Sequence, residues 1–232
     1  MALNALPKAS EKRDAVQRMF DRIAPRYDRL NRLLTLGLDQ RWRSRALADI
    51  RVGPGDLLID LACGTGDLAE RATQRGARVI GADFAQKMLV AARERGVNAR
   101  FVQADAATLP FSTACSTALV CGFALRNFTN LPDVLREMAR VLEPGGRIAL
   151  IEVDRPASSW IGALHSFYFD RVVPRIGGWL SDREAYAYLP QSTAYLPEEN
   201  ELRALLEKAG FQRIQKTRLM LGAAQILQGI RE

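Results

Sequence analysis

Three aspartates end three successive hydrophobic stretches of the chain, and a glycine turn follows the first of them. Asp60 ends LLID before the turn ACGTGDLA, while Asp83 and Asp105 end RVIGAD and RFVQAD. Ligands of open α/β sheets bind outside the carboxyl ends of the strands, so we expect these carboxylates to surround one ligand. The turn, with Gly64 and Gly66, matches the G-x-G-x-x-A pattern of dinucleotide sites, and the lack of a following Lys-Ser or Lys-Thr excludes a P-loop.

The three acids favour S-adenosylmethionine over NAD as the ligand. Asp83 fits either molecule, because both sites use an acid at the end of the second strand to hold ribose hydroxyls. Asp60 lies just before the turn, where a carboxylate would repel a pyrophosphate and attract a cationic sulfonium amino acid. Asp105, followed by Ala106, is placed to reach an adenine edge.

An alternation of strand and helix begins at Asp56 and predicts the sheet that would position these residues. Each apolar run bounded by turn residues is typical of a buried parallel strand. Two strand-like runs close the sequence and predict an antiparallel hairpin at the sheet edge. The fold class is therefore α/β, with a doubly wound, mainly parallel, seven-stranded sheet. The predicted strands are DLLIDLA, ARVIGAD, ARFVQAD, STALVCGFA, RIALIEVD, FQRIQKTRLM and LGAAQILQGIR.

The first fifty residues predict basic, amphipathic helices. An apolar stripe at spacings of three and four runs from Val16 to Leu34, with a bend expected at Pro25 and an end at Gly37. Residues 1–50 hold 11 Lys or Arg and 6 acids, which is +5 of the formal net charge of +7. This excess indicates either an anionic partner or a solvated helix face.

Composition excludes several classes of protein. Hydrophobic content of 48% and charged content of 25% are typical of a globular protein. No apolar run approaches the ~18 residues of a transmembrane helix, and the first residues lack the apolar core of a signal peptide, so we expect a cytoplasmic protein. A structural zinc site is untenable, because the three cysteines form no C-x-x-C pair and the sequence has a single histidine, His165. We therefore predict no metal.

Seven segments of the chain together resemble one enzyme family. They are VQRMFDRIAPRYDRLN, DLACGTGDLA, GADFAQKML, ADAATLPF, FALRNF, LREMARVLEPGGRI and VVPRIGG. This series resembles the ubiquinone/menaquinone biosynthesis C-methyltransferases, which are class I enzymes dependent on S-adenosylmethionine. The resemblance covers nearly the whole chain from Val16 onward, and its FDRIAPRYD and LRNF segments are more specific than its glycine turns.

The resemblance implies a cofactor site and a catalytic site. The implied S-adenosylmethionine ligands are Asp60, Gly64, Thr65, Gly66, Asp83, Phe84, Met88, Asp105, Ala106 and Gly122. Arg126 is expected to be the cation that lowers the pKa of a substrate phenol, and Asn127 to orient the ring oxygen or a water. Tyr27 would cover the site, with core packing as an equal alternative, whereas His165 is more often structural than a base.

The resemblance also implies a polyprenyl quinol substrate, most plausibly demethylmenaquinol, with the benzoquinol of the ubiquinone pathway as the alternative. We expect residues 1–50 to form a membrane-facing lid and residues 51–232 the catalytic domain, with a substrate insertion near 155–195. The protein would then lie peripherally at the inner face of the membrane, touching anionic headgroups. Removing residues 1–15 should weaken this association and leave turnover of a soluble quinol intact. Whether the protein forms a homodimer is left open. No recognition helix or aromatic-interleaved basic strand indicates binding of nucleic acid.

Overall fold

One seven-stranded sheet organises the residues that the computed structural model describes, which are 9–154, 188 and 191–232. Its order is β3-β2-β1-β4-β5-β7-β6. The first five strands are parallel, and β7 and β6 form an antiparallel pair beside β5, which confirms the predicted fold class and the edge hairpin. The strands are β1 Leu57–Leu61, β2 Arg78–Asp83, β3 Arg100–Gln103, β4 Ser116–Gly122, β5 Leu142–Val153, β6 Phe211–Leu219 and β7 Ala224–Arg231.

Seven named α-helices flank or precede these strands within the described residues. They are α1 Ala9–Ile23, α2 Tyr27–Leu34, α3 Leu38–Asp49, α4 Asp67–Gln74, α5 Gln86–Glu94, α6 Leu131–Val141 and α7 Glu199–Lys208. The bend expected at Pro25 is a 3₁₀ turn, Ala24–Arg26, because proline supplies no N–H to continue the α-helix. Gly37 adopts a left-handed φ of 74° between α2 and α3, as expected for a glycine that ends a helix.

The start of β5 differs from its sequence prediction. The predicted strand RIALIEVD begins at Arg147, after the Pro-Gly-Gly stretch. In the structure that stretch lies within β5, since the pairing with β4 jumps from Ser116 opposite Leu142 to Ala118 opposite Arg147. The extra residues form a bulge, and Gly145, with a φ of 80°, supplies the left-handed conformation that such an irregularity requires.

The core does not divide at residue 50. Leu47 of α3 is fully buried in one cluster with Leu58 of β1 and Val120 of β4, so α3 is part of the layer that covers one face of the sheet. The helices before it pack elsewhere, because Val16 and Leu30 belong to a cluster that includes Met88 of α5. Within the described residues, α1 and α2 are thus the helices of the first fifty residues that pack apart from this layer, and their role as a lid stays a prediction.

The order in which successive strands are added to the sheet reverses at β1, with β2 and β3 on one side of it and β4 and β5 on the other. Strand β1 pairs with β2 on one side and with β4 on the other, so the carboxyl ends of these three strands face a crevice. Such a switch point is where open α/β sheets bind their ligands. His165, the aromatic stretch 160–180 and most of the expected insertion 155–195 lie outside the described residues. No helix in the described part of the chain has the length and apolar content to cross a membrane.

Candidate active site

A cavity of about 420 Å³ opens at the switch point, between the carboxyl ends of the strands and helices α1 and α2. Its walls are mostly apolar, with a few polar groups, as is usual for a site that takes a small molecule. Nine of the predicted site residues line it: Tyr27, Gly64, Asp83, Phe84, Met88, Asp105, Ala106, Gly122 and Asn127. Four do not: Asp60, Thr65, Gly66 and Arg126.

Asp83 joins the end of β2 to the glycine turn. One carboxylate oxygen accepts a hydrogen bond from the Gly64 N–H at 2.7 Å, and the other accepts one from Ala85 at 2.8 Å. Burial raises the pKa of Asp83, and these backbone N–H donors oppose that rise. The carboxylate has lone pairs left that could accept from a ligand, and its role as the ribose partner stays a prediction.

Asp105 faces the cavity together with a residue that sequence analysis did not place there. Arg13 of α1 forms an ion pair with Asp105, with Nη2 at 3.1 Å from Oδ2, and its guanidinium lies 5.0 Å from the centre of the Phe84 ring. The sequence interpretation had treated Arg13 as a membrane-facing cation. A signal existed, because Arg13 lies one turn before the apolar stripe, and positions 13, 16, 17 and 20 of α1 line the cavity at helical spacing.

Asp60 lies beneath the turn, away from the cavity wall. The residue is fully buried, one of its oxygens accepts a hydrogen bond from the Ala69 N–H at 2.9 Å, and the other has no hydrogen-bond partner among the described residues. Burial raises the pKa of this carboxyl to about 8. Asp60 therefore lies behind the cavity wall, which its neighbours Leu61 and Ala62 line, and its expected contact with the ligand stays a prediction.

Thr65 and Gly66 also lie on the far side of the turn, where they hold it in place. Thr65 donates its hydroxyl hydrogen to Asp28 of α2 at 2.5 Å. Gly66 has a left-handed φ of 86°, and an added Cβ would contact Val97 and Phe101 at 3.4 Å. The two residues therefore shape the turn and attach it to α2, and their expected contact with the ligand stays a prediction.

Arg126 is a buried partner of an acid on β5. The Arg126 side chain is 6% exposed and the Glu152 side chain 0%, and the guanidinium Nη1 forms an ion pair with Glu152. Nε donates to the Ser192 hydroxyl at 3.1 Å, and the backbone N–H of Arg126 donates to the second oxygen of Glu152 at 3.3 Å. The pair is expected on physical grounds, because a buried arginine without an anion would lose its solvation uncompensated. Arg126 does not line the cavity, and its action on a substrate phenol stays a prediction.

Asn127 follows Arg126 in the 3₁₀ turn Leu125–Asn127 and reaches the cavity wall. The Tyr188 hydroxyl donates to its side-chain oxygen at 3.2 Å. Burial raises the pKa of Tyr188 to about 12, so the phenol keeps the proton that it donates. Since the amide oxygen of Asn127 is engaged, its NH₂ group is the half available to a ligand as a donor.

Tyr27 is the first residue of α2 and lines the cavity on the side of the N-terminal helices. Its ring packs edge-on against Phe20, with 5.8 Å between centroids. Burial raises the pKa of the Tyr27 phenol, and the nearby charge of Arg43 opposes that rise. A neutral phenol in the cavity wall can both pack against Phe20 and donate a hydrogen bond. The two roles left open for Tyr27, core packing and covering the site, are therefore compatible.

The cavity therefore has two chemically distinct parts. Carboxylates of Asp83 and Asp105 mark one part, and the amide of Asn127 with the Tyr27 ring marks the other. Two cysteines near the sheet, Cys63 and Cys121, are buried, and burial raises the pKa of both thiols well above the usual value, so neither is a nucleophile at neutral pH. The arrangement suits a transfer between two bound molecules.

Comparison with known proteins gives one family. The family model described as the ubiE/COQ5 methyltransferase family matches residues 7–231. A relative from Thermus thermophilus named demethylmenaquinone methyltransferase is 43% identical over 220 residues, which cover 92% of this chain and 100% of that protein. A relative from Syntrophotalea carbinolica named ubiquinone/menaquinone biosynthesis C-methyltransferase UbiE is 37% identical, with 92% of each chain covered.

Solved structures share the fold at low sequence identity. A SAM-dependent methyltransferase from Aquifex aeolicus has a TM-score of 0.59 at 15% identity, covering 82% of this chain and 89% of its own. Magnesium protoporphyrin IX methyltransferase from Synechocystis, solved with bound SAH, has a TM-score of 0.59 at 21% identity, covering 89% and 88%.

Proposed function

The chain belongs to the ubiE/COQ5 methyltransferase family, and we propose that it transfers a methyl group from S-adenosylmethionine to a ring carbon of demethylmenaquinol. The observation that carries this proposal is the cavity, in which carboxylates suited to a nucleoside and an oriented amide donor share one mostly apolar space. The names of relatives such as those from Thermus thermophilus and Deinococcus radiodurans support the menaquinone precursor as substrate.

The residues present fit S-adenosylmethionine. Asp83 and Asp105 offer carboxylates to a ribose and an adenine edge, while Phe84, Met88 and Ala106 supply the apolar walls between which an adenine would lie. The bound cofactor supplies a methyl group that a sulfonium has already activated. The protein then has to align this methyl with the nucleophile and exclude water.

Asn127 and the N-terminal helices would act on the quinol. The ring carbon beside a hydroxyl becomes nucleophilic as that hydroxyl approaches phenolate, normally at a pKa of ~10. We assign the Asn127 NH₂ group as the donor that stabilises the developing charge on the ring oxygen. Tyr27 and Phe20 would cover the ring and exclude water, and the released protons pass to solvent.

Delivery of the substrate from a lipid surface is part of the same proposal. Leu33 and Leu36 are 49% and 78% exposed at the end of α2, beside the exposed cations Arg29, Arg32 and Arg41. Apolar side chains among cations suit a surface of anionic lipid, where each basic residue contributes about 1 kcal/mol. We place the protein peripherally at the inner face of the membrane on this basis, and homodimerisation stays a prediction.

A direct assay tests the proposed reaction. Purified protein is incubated with methyl-labelled S-adenosylmethionine and short-tailed demethylmenaquinol, and the product is analysed by mass spectrometry. A second reaction contains the methoxy benzoquinol of the ubiquinone pathway, because several relatives carry the double name. Methylation of the naphthoquinol supports the proposal, methylation of the benzoquinol alone supports the alternative pathway, and methylation of neither contradicts both.

Vesicle sedimentation tests the membrane contact. Protein is mixed with vesicles of neutral lipid or of neutral and anionic lipid together, and Leu33→Ser with Leu36→Ser is compared with the exposed control Val90→Ser on α5. We expect wild type and the Val90 variant to bind the anionic vesicles and the double variant to bind them weakly. Equal binding by all three proteins would show that the α2 surface is not the contact.

A further inference from the structure

Lys12 is a buried cation that the cofactor site does not use. The residue is 4% exposed and lies near the start of α1. No carboxylate of the described residues forms an ion pair with it, and burial lowers its pKa to about 8. Burying an ammonium without an acid is costly, so its hydrogen-bond partners have to compensate.

Those partners lie on both sides of Asn127. The Lys12 ammonium donates to the carbonyl oxygens of Arg126 and Phe128, each at 2.9 Å. The same ammonium lies 3.8 Å from the centre of the Tyr195 ring, in the 3₁₀ turn Thr193–Tyr195. One side chain of α1 thus fixes the backbone that carries Asn127 and meets a third segment of the chain.

The next residues of α1 contact the opposite side of the cavity. Arg13 pairs with Asp105, and the side-chain amide of Gln17 donates to the carbonyl oxygen of Phe84 at 3.3 Å. Adjacent positions of one helix therefore hold the two parts of the site, with Lys12 on the Asn127 side and Arg13 on the carboxylate side. The three contacts form together when α1 lies across the cavity.

We propose that Lys12 is a positioning residue that couples the closure of α1 over the cavity to the placement of Asn127. This inference rests on the proposed function. When α1 covers the site, the ammonium holds the turn on each side of Asn127 and so fixes the direction of its NH₂ group toward the quinol oxygen. When α1 moves away from the cavity, the turn that carries Asn127 loses this support. The site is therefore competent for methyl transfer only while α1 closes it to water.

Substitution at Lys12 tests the kinetic part of the proposal. Lys12→Met keeps the length of the side chain and removes the ammonium, Lys12→Arg restores a donor cation, and Lys87→Met is the matched control on an exposed lysine of α5. Single-turnover methyl transfer is measured with saturating cofactor and short-tailed quinol. We expect Lys12→Met to be about 10- to 100-fold slower, from the loss of charge-assisted hydrogen bonds, with partial recovery in Lys12→Arg.

Binding of S-adenosylhomocysteine, measured by calorimetry, separates positioning from general support of the fold. We expect its affinity to be the same in Lys12→Met, in Lys87→Met and in wild type, because the contacts of Lys12 lie on the Asn127 side. A Lys12→Met protein that transfers methyl groups at the wild-type rate overturns the proposal. A loss of binding that equals the loss in rate also overturns it.

Lysine acetylation gives a readout that does not depend on the substrate. The chain has five lysines, so mass spectrometry resolves each site after brief treatment with acetic anhydride. We expect Lys12 to react more slowly than Lys87, because the Lys12 ammonium is buried when α1 lies across the cavity. Equal reaction of the two lysines overturns the coupling, whereas an inactive wild-type protein with protected Lys12 contradicts only the proposed substrate.

Discussion

The buried pair of Arg126 and Glu152 gives the sharpest test of how the site is built. Arg126→Met removes the guanidinium and leaves the Glu152 carboxylate, whose side chain is 0% exposed, with only the backbone N–H donors of residues 126 and 153. Breaking a buried ion pair from one side costs roughly 3–5 kcal/mol, because the remaining charge is uncompensated. We expect Arg126→Met to lose stability by about that amount.

A second substitution distinguishes the pair from a catalytic cation. Glu152→Gln removes the stranded charge and keeps an oxygen that can accept from the backbone, so the double variant should recover to within about 1–2 kcal/mol of wild type. Urea denaturation of the two single variants, the double variant and wild type gives the coupling energy between the residues. A coupling energy near zero would refute the ion pair as a stabilising element.

Activity of the double variant completes the test. If Arg126 acts through the fold, the stable double variant still binds S-adenosylmethionine and methylates the quinol at a reduced single-turnover rate. If it folds and binds the cofactor but does not transfer the methyl group, Arg126 acts on the substrate directly. That outcome would confirm the role that sequence analysis gave it.

Three further substitutions test other parts of the structure. Asp83→Ala should weaken cofactor binding by a few kcal/mol in calorimetry, because buried ribose hydroxyls lose a charged acceptor, and an unchanged affinity would remove Asp83 from the site. Burial raises the pKa of Asp60 from its ordinary value of 3.8 to about 8 in the folded protein, so the stability from its bound proton is complete below 3.8 and is lost as pH rises through 8. The free energy of unfolding of Asp60→Asn, compared with that of wild type, should therefore rise by about 4 kcal/mol between pH 5 and pH 8, at 1.36 kcal/mol per pH unit. A difference in unfolding free energy that stays constant over this range would contradict the raised pKa. Gly81→Ala should destabilise by about 1–3 kcal/mol in urea, because the new Cβ would lie 2.7 Å from the Phe101 ring, and wild-type stability would show that the ring moves aside.

The sheet and the ends of its strands could be predicted from the sequence, because they follow from local patterns. Alternating apolar runs and glycine turns fix which residues close each strand, and this placed Asp83 and Asp105 at the cavity. The side of the sheet that a strand residue faces is less certain, because a shift of one position reverses it. Asp60 was assigned to the ligand for its place in the chain, and the structure places its side chain behind the cavity wall, bonded to the Ala69 N–H.

Partners that lie far apart in the chain could not be predicted in this manner. Arg126 and Glu152 are separated by 26 positions, and Lys12 is separated from Arg126 by 114. Only the folded chain shows that a cation is already neutralised or already used as a donor. Glu152 carried a partial signal, since it ends β5 as the other acids end their strands, although nothing local indicates that it pairs with an arginine.

The positive charge of the N-terminal segment comes from two kinds of cation, those engaged inside the protein and those exposed on its surface, and the sequence alone does not separate them. Lys12 and Arg13 count toward its positive charge, yet the first is buried and the second binds Asp105. The effect of removing residues 1–15 stays a prediction, and the structure adds a loss of turnover to it, because the truncation would also remove both contacts of α1 with the site. The cation Arg29 is exposed on α2, whereas Arg32 of the same helix pairs with Asp67 at 3.3 Å. The two proposals together place closure of the cavity on α1 and contact with the membrane on α2, so a quinol that enters from lipid beside α2 would arrive under the helix proposed to hold Asn127 in place.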